Sequence, residues 1–138
     1  MMGTSKTIFW SALLALLLLG GCSSSPASIA YDDPAPPEKK CTLIIAGSLT
    51  VTRFDGKTVE WTPAFGYNWG EVQIAQGSHN FVADFSTGGG QYNAKNITAS
   101  YNNFKAGHRY RMVPRMQSAK TPALGSLDVS IVIEDITP

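Results

Sequence analysis

The chain has 138 residues, 43% of them hydrophobic and 15% charged, with 11 Lys and Arg against 10 Asp and Glu. A balance this close to zero excludes the basic footprint of a nucleic-acid-binding domain, and the length suits one domain with an extension. Cys22 and Cys41 are the two cysteines, so committing either one elsewhere leaves no disulfide framework.

Met1 to Thr7 is short and polar, with one cation, Lys6; Ile8 to Leu19 is apolar except for Ser11. A charged start, an apolar run and small residues after it form the layout of a secretory signal. The run is shorter than the roughly 20 apolar residues of a relaxed membrane span, and Gly20 and Gly21 oppose helix at its end. The string Leu19-Gly20-Gly21-Cys22 resembles the bacterial lipobox. That resemblance implies a signal peptide over residues 1–21, a diacylglycerol on the Cys22 thiol and cleavage just before it. It makes the membrane a partner through a covalent lipid. At about 0.8 kcal/mol per buried CH2, two or three acyl chains hold for the life of the protein. An Asp after the cysteine often retains members of the family in the inner membrane. Ser23 stands there, which implies the outer membrane of a bacterial envelope. Removing residues 1–21 takes Lys6 and leaves 117 residues with ten side chains of each sign.

Residues 22–40 are expected to form a tether. Three consecutive serines are followed by Pro26, Pro34, Pro36 and Pro37. Such a composition buries too little apolar area to offset chain entropy. The prolines favour an extended path, about 3 Å per residue, that would hold a domain tens of ångströms from a bilayer.

From Cys41 onward the chain turns to short runs of β-branched and aromatic residues punctuated by Gly, Asn and Asp, the pattern of strands. Cys41–Ala46 is apolar. Leu49 and Val51 alternate with threonines in Ser48–Phe54. Asp55-Gly56 predicts a two-residue type I′ hairpin into Thr58–Trp61. Thr62–Gly70 reads as a loop carrying Phe65, Tyr67 and Trp69. Glu71–Ala75 points Val72 and Ile74 inward. Ser78–Phe85 places His79, Phe81, Ala83 and Phe85 on one face. Gly88-Gly89-Gly90 is a tip. Lys95–Tyr101 alternates around Ile97, Ala99 and Tyr101. His108–Met112 sends Tyr110 and Met112 in and Arg109 and Arg111 out. Pro114–Gly125 reads as a polar connection, and Leu127, Val129, Ile131 and Ile133 mark a last strand.

These eight strands predict an all-β fold, a single antiparallel immunoglobulin-like sandwich over residues 41–138, with strand order left open. Val72-Gln73-Ile74-Ala75-Gln76-Gly77-Ser78-His79-Asn80-Phe81 resembles the strand–Gly–strand unit of PEGA-type surface domains in its glycine and apolar spacing. Phe104-Lys105-Ala106-Gly107-His108-Arg109-Tyr110-Arg111-Met112 is similar to the fibronectin III phrase Leu-x-Pro-Gly-x-x-Tyr-x-Val, with Ala106 in place of the proline. That resemblance implies a tyrosine corner at Tyr110, its phenol bonded back to the upstream backbone, and no catalytic residues. The whole plan is similar to that of small bacterial envelope lipoproteins.

The aromatic side chains Trp61, Phe65, Tyr67 and Trp69, with Tyr92 near the triple glycine, are the candidate ligand or partner contacts. Rings on a loop would stack on a sugar or cover a protein partner; the alternative is that they lid the core. Arg53, Lys57, Arg109 and Arg111 are read as one outer face able to meet anionic headgroups, or as a solvated sheet surface. Cys41 follows two lysines, which would lower a thiol pKa, and reads equally as a small residue starting a strand. His79 and His108 lack ligand-rich spacing, so neither metal nor cofactor is expected. Without a Gly-x-Ser-x-Gly elbow or similar string, no catalytic residue is assigned. The expected function is a lipid-anchored, non-catalytic envelope lipoprotein presenting a surface to an envelope protein or glycan. A carbohydrate-binding module using the Trp61–Trp69 loop and a purely structural envelope protein are the alternatives.

Overall fold

A computed structural model of the chain describes residues 25–64, 68–89, 92–118 and 127–138. It holds nine strands: β1 (Ala27–Ser28), β2 (Lys40–Ala46), β3 (Leu49–Phe54), β4 (Lys57–Trp61), β5 (Trp69–Ala75), β6 (Gly77–Ser86), β7 (Asn93–Phe104), β8 (Arg109–Ser118) and β9 (Leu127–Asp135). They form two sheets, ordered β1-β5-β2-β8-β9 and β4-β3-β6-β7. The fold is therefore the all-β sandwich the alternation predicts. Its first sheet is mixed, because β2 runs parallel to β8 and β1 is added parallel to β5 at the edge, while β2 and β5 are antiparallel.

The local signals work as expected. Asp55 and Gly56 both take positive φ, 48° and 78°, and close the β3–β4 hairpin. Along β6, His79, Phe81, Ala83 and Phe85 are buried. Along β8, Tyr110 and Met112 are buried and Arg109 and Arg111 exposed. A bulge in β3 between Val51 and Arg53 shifts the alternation by one. Phe54 thereby joins Leu49 and Val51 in the core despite its odd spacing from them. Trp61, Phe81, Phe104 and Tyr110 fill the centre between the sheets with the aliphatic side chains of β2 and β5.

Two expectations are corrected. The strand expected to end before Pro114 runs on to Ser118, paired with β9 as far as Leu127. Past Met112, β8 has β9 on one side and no β2 partner on the other. A proline without an N–H costs nothing on such an edge. The second correction concerns the tether. Ala27 and Ser28 pair with Gly70 and Glu71, and the Ile29 N–H donates to the Glu71 carbonyl at 3.0 Å. Tyr31 packs edge-on against Phe54 and Trp61, with ring centroids 5.7 and 4.9 Å away. Asp33 is buried and accepts the N–H groups of Ala35 and Ala75 at 2.8 and 3.0 Å. A single turn of 3-10 helix, Pro37–Lys39, leads into β2. Residues 27–40 thus belong to the sandwich. Composition misreads them because a few long-range contacts, rather than a hydrophobic run, fix them.

Candidate interaction surface

The register sorts the loops into two ends. At the proximal end, Ala27 joins the sheet beside Gly70. There the Gly47 N–H donates to Asn68, the Ser86 N–H to Ser48 at 3.0 Å, and the Thr87 N–H to Tyr92 at 3.1 Å. A Cβ on Gly47 would stand 2.6 Å from the Asn68 carbonyl oxygen, so this crossing between sheets needs glycine. The β8–β9 arm reaches the same end. At the distal end lie the Asp55-Gly56 turn, Gln76, Gly107 and the C-terminus, joined by bonds from Gln76 to Lys39, Gly107 to Lys40 and Ile136 to Arg109.

The candidate contact residues do not form one face. Trp61 is 2% exposed and packs against Tyr31, Phe54 and Phe81. It is a core side chain, so the carbohydrate-binding alternative loses its first ring, and the lid reading describes this residue. Phe65, Tyr67 and Cys22 lie outside the described residues. Trp69 is half-buried on the outer face of the first sheet. Tyr92 is 45% exposed at the β6–β7 tip. Trp69 and Tyr92 thus share the proximal end on different sheets.

The four cations read as one face are split as well. Arg53 and Lys57 lie on the second sheet, Arg109 and Arg111 on the first. Arg111 donates to Glu134 at 2.8 Å and Arg109 stands 3.6 Å from Glu71.

What the sequence reading missed is a gradient on the outer face of the first sheet. Pairing places Gln73, Thr42 and Arg109 in one row, and Glu71, Ile44, Arg111 and Glu134 in the next. Trp69 pairs with Ala46, and Val113 with Val132. Because Ile45 pairs with Met112, the residues after them, Ala46 and Val113, are neighbours. Trp69, Ala46, Val113 and Val132 therefore form a wholly apolar third row at the proximal end, each half-buried. Beyond it the outer face continues with the Arg115–Ser130 pair, while on the inner face Pro114 and Met116 of β8 pair with Ile131 and Val129 of β9. Met116 is 53% exposed. The Val113–Met116 run carried this signal, but reading it as a loop hid it.

Compared with protein-family models, with curated proteins and with solved structures, the chain matches none of them.

Among the described residues, Cys41, His79 and His108 are each held in a fold contact. The Cys41 thiol is 1% exposed and directed at the Ile74 carbonyl, 3.6 Å away. Burial is the main cause that pushes it up from 9.0 to about 11, with Asp33 adding to the shift. It is an inert packing residue, and the lysines before it do not activate it. His79 is buried, with Nε2 2.6 Å from the Ala75 carbonyl and Nδ1 2.6 Å from Asp55 Oδ2. His108 Nδ1 is 2.8 Å from Asp135. Asp135 is held down at about 2, first by the Thr137 hydroxyl, then by the Thr137 N–H and by His108. Among the described residues, no group of three or more His, Cys, Asp or Glu side chains is arranged to hold a metal ion. Tyr110 makes the corner its position implies. Its hydroxyl accepts the Lys105 N–H at 2.8 Å and donates to the Asn103 carbonyl at 3.2 Å.

Proposed function

We propose that the protein is a lipid-anchored lipoprotein of a bacterial envelope, carried by the outer membrane, whose sandwich offers a non-catalytic surface to an envelope protein or glycan. The observation that carries this reading is the Leu19-Gly20-Gly21-Cys22 string at the end of the apolar Ile8–Leu19 run. The fold is compatible with it: the chain joins the sheet at Ala27, shortly after the acylated residue, and the body that follows is a self-sufficient sandwich. The non-catalytic part rests on the engagement of Cys41, His79 and His108 in packing and hydrogen bonds.

Mass spectrometry of protein extracted from membranes tests the anchor. An N-terminal Cys22 carrying acyl chains is expected, and Cys22→Ser should move the protein to the soluble fraction. An unmodified Cys22, or a variant that still fractionates with membranes, refutes the proposal.

A further inference from the structure

We infer that the proximal end of the sandwich lies against the lipid bilayer, with the third-row apolar strip, the Tyr92 tip and the Met116 arm resting in its interfacial layer. This rests on acylation of Cys22. The first argument is reach. Five residue steps separate Cys22 from Ala27, and at 3.3–3.6 Å each they span at most about 18 Å. The ten residues of β6 alone run about 33 Å. Because residues 27–40 are stapled to the sheet, they add no slack. The distal end is therefore out of reach of the surface that holds the anchor, and the proximal end is beside it.

The second argument is chemistry. Outer-face rows on the first sheet run from polar at the distal end, through ion pairs, to the apolar Trp69, Ala46, Val113 and Val132 strip, beyond which the β8–β9 arm alone continues this face with Arg115, Ser130, Gln117 and Asp128. Three large hydrophobic side chains are exposed among the described residues; Tyr92 and Met116 are at this end, and Ile136 is at the other. Trp and Tyr side chains, apolar in body and polar at one atom, suit the headgroup boundary. The two-stranded β8–β9 arm projects past β2; β9 packs on β7 of the second sheet and Val129 and Ile131 lie half-buried against the core, which leaves Met116 as the exposed apolar side chain of the arm. Arg115 and Asp128 are exposed on the outer face, beyond the apolar strip, where headgroups and water would solvate them.

The test uses the lipidated protein in vesicles of phosphatidylethanolamine and phosphatidylglycerol. Single cysteines are placed at exposed sites as Tyr92→Cys, Met116→Cys and Lys57→Cys, and labelled with nitrobenzoxadiazole. Cys41 is buried and stays unlabelled in the folded protein. On vesicles, labels at 92 and 116 should react with aqueous dithionite severalfold more slowly than the label at 57, and their emission should shift to the blue. Without vesicles all three should react alike. If the protein floats with vesicles yet all three sites remain equally open, the orientation is overturned and the anchor stands. If it does not float, the anchor reading falls and takes this inference with it.

Discussion

Asp33 Oδ2 accepts the Ala75 N–H at 3.0 Å across 42 positions of sequence, and Oδ1 accepts the Ala35 N–H at 2.8 Å. One buried carboxylate thus turns a proline-rich approach into part of the sheet. Asp33→Ala leaves the Ala75 N–H without its acceptor, a loss of about 1–3 kcal/mol. The expected result is a lower urea midpoint together with faster proteolysis between residues 25 and 40. Asp33→Asn keeps an acceptor oxygen and should fall between. A variant as stable and as protease-resistant as the parent would return this segment to the status of a spacer.

The two tryptophans of the chain after residue 21 should behave differently. Trp61 is buried among rings and Trp69 is half-exposed. In a Trp69→Phe protein, emission from Trp61 should be blue and resist acrylamide; in Trp61→Phe, emission from Trp69 should be quenched readily. Trp61→Ala should cost about 3–5 kcal/mol, as a large core truncation does. Sugars that quenched Trp61 in the folded protein would contradict its placement.

Most of the sandwich was legible because its signals are local. The alternation of Phe81, Ala83 and Phe85, the Asp55-Gly56 turn and the position of Tyr110 each depend on neighbours within a few residues. The missed features depend on partners far away. Nothing near Asp33 announces Ala75. Nothing near Trp69 announces Val113 and Val132, since a row on a sheet needs the order of four strands. Pro114 reads as a break because the sequence does not say which strands are edges. The site suffered most: Trp61 and Trp69 were joined by closeness along the chain, yet one faces the core and the other the outer surface.

Tyr110→Phe isolates the corner. The ring, which packs against Phe104 at 4.7 Å and Tyr101 at 5.5 Å, is kept. The hydroxyl, which serves both Lys105 and Asn103, is removed. The Lys105 N–H then loses its acceptor, and the expected cost is about 1–2 kcal/mol. It should be read as a shift of the urea midpoint at an unchanged slope, because surface exposed on unfolding hardly changes. A midpoint equal to that of the parent would mean that water replaces the phenol without loss.

Cys41 ties alkaline behaviour to the core. Its thiol ionises near 9.0 ordinarily and near 11 in the fold, so the protonated form is the one the folded state favours. Its contribution to stability is fully present below pH 9 and is lost as pH rises through about 11. Tyr31 and Tyr110, both raised above 10.0 mainly by burial, act with the same sign further up. Stability should therefore decline on the alkaline side, and Cys41→Ala should remove the first part of that decline while leaving the tyrosine part. Alkylation gives an independent reading. At about pH 8.5 iodoacetamide should modify Cys41 in urea and leave it untouched in the folded protein. Rapid modification without denaturant would show that the strand end at Cys41 opens to water, and the packing role assigned to this thiol would fail.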